Sequence, residues 1–205
     1  MRSQNVRTVS STEILMAFTL ASVCLGVVSC KSVQQRPHGV PTGVNSELSA
    51  LTNAVEIQIQ MQGTKLCDVT LENEQGKKTS LKALVGQATK LIFAFGELTC
   101  RVCVEKELEN LKVWNYQKDV LILSSYSNRR DLYLFKRVNR IEGSVYNLDG
   151  RSLGIPADES HGVFLLVVDS ALVVRACLVP LKEFPSFSEL FYKVLVPRYI
   201  KQLDR

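Results

Sequence analysis

The chain has 205 residues, a formal net charge of +5, 46% hydrophobic and 22% charged residues, which fits one ordinary globular domain with extended ends and excludes a large multidomain enzyme. Its 11 glycines and 6 prolines exclude a collagen-like or low-complexity chain. The positive charge is spread out, with Lys77-Lys78 and Arg129-Arg130 as isolated pairs, so the electrostatic footprint of a nucleic-acid binder is missing. Six cysteines are too few for a disulfide scaffold of this length, and each is read by its position.

Arg2 and Arg7 precede an apolar run from Ile14 to Val28, the layout of a signal-peptide core and shorter than the ~20 apolar residues of a spanning helix. The run ends in Val27-Val28-Ser29-Cys30, which resembles the lipobox of bacterial lipoproteins. That resemblance implies a signal peptide over residues 1–29 and lipidation of Cys30, which becomes the mature N-terminus. Burial of acyl chains, at ~0.8 kcal/mol per CH₂, would hold such a protein on a membrane. No aspartate directly follows Cys30, which resembles an outer-membrane lipoprotein facing the periplasm. Residues 30–54 mix Pro, Gly, Ser, Gln and Asn without period and read as a flexible tether, with a short helix over Ser46 to Leu51 at its end. His38 reads as a solvated residue of that tether.

From residue 55 to residue 205 the pattern is that of a folded domain. Val55, Ile57 and Ile59 alternate with Glu56, Gln58 and Gln60, the period of a half-buried strand. Cys67 to Leu71 and Thr79 to Leu81 flank Asn73-Glu74-Gln75-Gly76, a hairpin with glycine at its turn. Lys90 to Phe95 reads as a buried strand, and a helix runs from Cys100 to Trp114 with Val104, Leu108 and Leu111 inward. Val120 to Leu123 reads as a second buried strand, Asn128 as the cap of a helix through Val138, and Gly143 to Leu148 as a further strand. Phe164 to Val168 and Leu172 to Leu178 form a closing hairpin turned at Asp169-Ser170, and Phe187 to Leu203 a last helix that Pro197 kinks or splits. The alternation implies an α/β domain, a central mixed sheet with helices on both faces.

The strongest local signal is Cys100-Arg101-Val102-Cys103, a C-x-x-C that follows a buried strand and opens a helix. At a helix N-terminus the unpaired N–H groups and the macrodipole favour an anion, and Arg101 adds an adjacent cation. Cys100 is therefore the expected attacking thiolate. Cys103, one turn along and less exposed, is the expected resolving thiol.

This motif in this order resembles the thioredoxin-like superfamily, more closely its TlpA and AhpC/TSA-related branch as found in lipoproteins of Bacteroidetes, over about Asp68 to Leu203. The hairpin around Gly76, Leu84-Val85-Gly86 leading to Lys90–Phe95, and the closing FLLVVDSALVVRA carry the likeness. The resemblance implies a thioredoxin-like fold with an N-terminal hairpin extension and a thiol:disulfide oxidoreductase that needs no cofactor. Its implied partners are disulfide-containing periplasmic protein clients and, through the anchor, a membrane. Departures are plain. Thr99 stands where the family has tryptophan, Ala94 where thioredoxin proper has a buried carboxylate, and Gly162-Val163 where the family has its cis-proline substrate platform. Phe93 and Glu97 replace the proline and threonine of a peroxidatic motif.

The alternative to redox catalysis is a redox-silent binding module on the same fold. A zinc site would need two more ligands beside the pair, whereas Cys67, Cys177, His38 and His161 are scattered singly, so no metal is expected. Cys67 and Cys177 read as buried small apolar residues, with a bridge between them the other reading. His161, next to the substituted platform, is either a surface loop residue or a proton shuttle for the thiols.

Overall fold

The computed structural model describes residues 42–97, 99–157 and 162–200. Cys30, His38, the lipobox and His161 lie outside them, as do the last five residues of the chain.

The first element is a helix, α1 (Thr42–Met61), which crosses the boundary placed between residues 54 and 55. The strand expected over Val55 to Gln60 is therefore corrected to helix. Alternation of apolar and polar residues also supplies the helical spacing Ala54, Ile57 and Met61, and these are the positions turned inward, while Val55 and Ile59 face solvent. Gln58, read as the polar half of a strand, accepts the N–H of Val179 at 3.2 Å.

A hairpin follows, β1 (Thr70–Asn73) and β2 (Lys78–Ser80), paired antiparallel. Its turn is shaped by Asn73, whose Oδ1 accepts the N–H groups of Gln75 at 3.1 Å and Lys77 at 2.8 Å, and by Gly76 at φ +85°, a left-handed position that glycine occupies without strain. Ser80 caps a short helix, α2 (Leu81–Val85), accepting from the Ala83 N–H at 3.1 Å. Cys67, expected to be buried in the first strand, is exposed and precedes it; its N–H is held by the Leu153 carbonyl at 2.8 Å. Cys177 is buried in a strand and, like Cys67, is a free thiol.

The remaining elements are β3 (Lys90–Gly96), α3 (Arg101–Val113), β4 (Val120–Ser125), α4 (Arg129–Val138), β5 (Val145–Asn147), β6 (Phe164–Val168) and β7 (Val174–Leu178). Asn128 caps α4, its Oδ1 accepting from the Asp131 N–H at 3.0 Å. The seven strands form one sheet in the order β2-β1-β5-β4-β3-β6-β7. β3 runs parallel to β4 and antiparallel to β6, so a strand buried from Leu91 to Phe95 lies near the middle and carries the dithiol segment at its carboxyl end. One sheet face packs Ile92, Ala94, Leu123 and Leu166 with Met61 and Leu81; the other packs Leu91, Phe93, Phe95 and Leu165 with Val104, Leu108, Leu132 and Tyr192. Helices therefore cover both faces of a mixed sheet.

The chain ends in α5 (Pro185–Leu190), a π-helical turn (Phe191–Leu195) and α6 (Val196–Tyr199). Pro197 lacks the N–H that would bond one turn back, and its ring crowds that turn. The wider π turn just before it accommodates both effects, and the helix, divided there into α, π and α segments, continues through the proline to Tyr199. No helix among the described residues is long and apolar enough to cross a membrane.

Candidate functional site

The site is built where β3 stops. After Gly96 the chain closes a tight turn in which the Gly96 N–H donates to Thr99 Oγ1 at 2.9 Å and the Thr99 N–H donates to the Gly96 carbonyl at 3.2 Å. This turn delivers Cys100 as the N-cap of α3, with its carbonyl accepting the first helical bond from Val104 at 3.2 Å. Cys100 is exposed and Cys103, one turn further, is half-buried against the apolar layer of α3 and β3. No disulfide joins them.

The two sulfurs sit in unlike surroundings. Cys100 is held below the ordinary thiol range, first by the backbone N–H of Cys103, then by the Cys103 thiol, against a burial effect that works the other way, with the Val102 N–H and the Lys182 ammonium adding to it. The Cys100 side chain makes no capping hydrogen bond with the helix, and the orphan N–H groups at this terminus favour its thiolate. Burial, the hydrogen bond to Cys100 and the charges of Cys100 and Glu183 push the Cys103 thiol up to about 11. An exposed sulfur biased toward thiolate thus sits beside a shielded one held as thiol.

The cation beside the dithiol is not the sequence neighbour. Arg101 is engaged by Glu105, Nε to Oε1 at 2.7 Å, whereas Lys182, from the loop between β7 and α5, is the cation that acts on Cys100, as the smallest of its stabilising influences. Lys182 in turn pairs with Glu183 at 3.4 Å. Lys182→Glu is expected to slow iodoacetamide labelling of Cys100 at neutral pH about threefold and to move its labelling midpoint upward, an effect of the size exposed charges produce. Arg101→Gln should change that rate less than Lys182→Gln does, and an equal effect of the two would contradict the geometry.

The substituted platform sits close by. Val163 is buried in the apolar layer that also receives Cys103 and Val104. Gly162 lines a cavity of about 390 Å³ together with Gly96 and Glu97. No cis peptide bond occurs among the described residues, so the Gly162–Val163 bond is trans. His161 is outside the described residues.

Three side chains to which the sequence assigned no role complete the surroundings. Glu97 Oε2 accepts from the Ser127 N–H at 3.2 Å and from Ser127 Oγ at 2.5 Å, tying the loop before the dithiol to the loop after β4. Buried Asn147 accepts the Tyr126 N–H at 3.1 Å and donates to the Tyr126 carbonyl at 2.8 Å, fixing that same loop. Glu107 is 2% exposed on the inner face of α3, with Ser188 Oγ donating at 2.7 Å and the Tyr192 hydroxyl at 3.0 Å. Glu107 was legible in principle, because it falls on the stripe of Val104, Leu108 and Leu111. Among the described residues no three His, Cys, Asp or Glu side chains gather so as to hold a metal ion.

No family model and no curated protein matches the chain. Solved structures do. A thiol:disulfide interchange protein from Bacteroides sp. superposes with a TM-score of 0.53 at 16% identity, over 70% of this chain and 93% of its own. The thioredoxin domain of a thiol-disulfide oxidoreductase from Bacteroides vulgatus gives 0.46 at 16% identity, over 64% and 97%. Peroxidoxin BcpB from Mycobacterium tuberculosis gives 0.47 at 12% identity, over 66% and 98%. With β3 parallel to β4 and antiparallel to β6, and a C-x-x-C opening the helix after β3, the chain has the thioredoxin-like fold.

Proposed function

We propose that this protein is a thiol:disulfide oxidoreductase in which Cys100 exchanges with disulfides of client proteins and Cys103 resolves the product. The observation that carries the reading is the inequality of the pair. An exposed thiol at a helix N-terminus is biased toward its anion while its half-buried partner, one turn along, is held protonated. A purely structural cysteine pair has no need of that difference.

In the reducing direction the Cys100 thiolate attacks one sulfur of the client disulfide, forming a mixed disulfide and releasing the other client sulfur as a thiolate, which takes up a proton. Cys103 then loses its proton and attacks Cys100. The mixed disulfide breaks, the second client sulfur leaves as thiolate and is protonated, and the protein is left with a Cys100–Cys103 disulfide carrying the two-electron oxidation. The reverse sequence oxidises a client dithiol. Helix geometry supports closure, since positions three apart on a helix face lie side by side.

Equilibration of the full-length protein in glutathione or dithiothreitol buffers is expected to show one reversible two-electron transition of the Cys100–Cys103 pair. A pair that stays reduced in every buffer, or a disulfide that no dithiol opens, would leave the redox-silent binding module as the better account. The same reading places the domain in the cell envelope on a lipid anchor at Cys30, supported by the Val27-Val28-Ser29-Cys30 sequence and by the oxidising compartments where such exchange operates. Mass spectrometry of the membrane fraction should find acyl mass on Cys30, and an intact unmodified Cys30 would remove the anchor from the proposal.

A further inference from the structure

A pocket of about 310 Å³ opens between the N-terminal turn of α3 and α4, lined by the residues on either side of Cys100 but by neither cysteine. Its volume is at the lower end of small ligand pockets and suits one large side chain. The floor is aromatic: Phe95 lies 4.9 Å from Phe135 and 6.2 Å from Tyr126, and Tyr126 lies 5.9 Å from Phe135, centroid to centroid. Leu134 and Val138 on α4 form its wall and remain 45% and 67% exposed. Thr99 and Arg101, the residues on either side of Cys100, are part of its lining.

The rim has a definite sign. Glu97, Glu105 and Asp131 line it, against Arg101 as its one lining cation. Arg101 is engaged by Glu105. Glu97 receives hydrogen bonds from neutral Ser127, and Asp131 Oδ2 receives one from neutral Asn128 at 2.7 Å. Among the described residues neither of these two carboxylates has a cation in an ion pair. The Tyr126 phenol on the floor is held above its ordinary range, first by burial and then by the Glu97 and Asp131 charges, with Arg101 opposing. The pocket mouth is therefore negative on a chain whose net charge is positive.

We infer that this pocket selects clients, taking an aromatic or large aliphatic side chain that is followed or preceded by a lysine or arginine, within two or three residues of the client's disulfide cysteine. The inference rests on the exchange chemistry proposed above and adds the class of client. Extended chain advances about 3.3 Å per residue, so two or three residues bridge the step from a sulfur at Cys100 to a pocket that begins at its sequence neighbours. Apolar burial supplies attraction, and the two carboxylates supply sign selection.

The test uses the pre-reduced full-length protein and a set of short peptides whose single cysteine carries thionitrobenzoate as a mixed disulfide. The peptides differ only two and three positions from that cysteine: Phe-Lys, Phe-Glu, Ser-Lys and Ser-Ser. Release of the yellow thiolate gives second-order rates. Phe-Lys is expected to react about tenfold faster than Phe-Glu, an attraction-against-repulsion difference of ordinary interface size, with Ser-Lys and Ser-Ser in between. That ratio should shrink as salt is raised. Val138→Arg, a change at an exposed position, should bring the Phe-Lys to Phe-Glu ratio to one or below. Equal rates for all four peptides, or a ratio that Val138→Arg leaves untouched, would overturn the pocket while leaving the exchange chemistry standing. No reaction with any peptide or with oxidised glutathione would overturn both.

Discussion

Replacing Cys103 with serine is expected to leave client proteins covalently attached to Cys100, whereas Cys100→Ser should trap none and lose exchange activity by on the order of a thousandfold or more, as removal of a nucleophile does. The asymmetry follows from the two environments. With its thiol pushed up to about 11, Cys103 stays protonated at pH 7, so in the reduced protein attack comes from Cys100. Once Cys100 is consumed in the mixed disulfide, its negative charge and its hydrogen bond no longer hold the Cys103 proton in place. Only burial and Glu183 still raise that thiol, and Lys182 opposes them. Resolution is thus released by the step that precedes it. The pH dependence has a definite sign: Cys103 is a thiol that must lose a proton to resolve, so resolution accelerates as pH rises toward the Cys103 value, and mixed disulfides of the intact protein shorten in lifetime at alkaline pH. Trapping on Cys100→Ser equal to that on Cys103→Ser, read by mass spectrometry after acid quenching, would remove the assigned division of roles.

Much of this arrangement is visible in the linear sequence because it is local. The short apolar runs Lys90–Phe95, Val120–Leu123 and Phe164–Val168 read as buried strands, and all three lie in strands, the first two of which extend to Gly96 and Ser125. The Asn128 cap is a matter of one side chain reaching its own helix. What fails to read is whatever the sequence pattern leaves degenerate or the fold brings from afar. Val55 to Gln60 satisfies a strand period and a helix face at once, and packing of Ala54 and Met61 decides for helix. Arg101 is adjacent to Cys100 in sequence yet turns to Glu105, while Lys182 reaches the site by way of the β7–α5 loop. Side-chain direction on a helix sets the first result and chain topology the second, and neither is encoded in adjacency.

Glu107→Ala is expected to destabilise the domain by about 3 kcal/mol or more, because each buried hydroxyl left without an acceptor costs about 1 to 3 kcal/mol. Two such groups depend on this carboxylate: Ser188 is 4% exposed and Tyr192 1%, and each donates to a separate carboxylate oxygen. Burial, together with the Glu107 charge and hydrogen bond, raises the Tyr192 phenol far above its usual range, so it serves only as donor. The carboxylate thereby joins the helix that carries the dithiol to α5 and the π turn, the same segment that the Lys182 loop leads into. Glu107→Gln keeps one acceptor oxygen and should cost only about 1 kcal/mol. Glu107→Leu should be nearly as damaging as Glu107→Ala, yet combining it with Ser188→Ala and Tyr192→Phe should recover most of the loss, since removing donors together with their acceptor leaves nothing unsatisfied. Urea unfolding of the four variants, with slopes checked for constancy, measures each value. A Glu107→Ala variant within about 0.5 kcal/mol of the parent, the range of an ordinary surface change, would show that the carboxylate is not what holds α3 to the C-terminal helix.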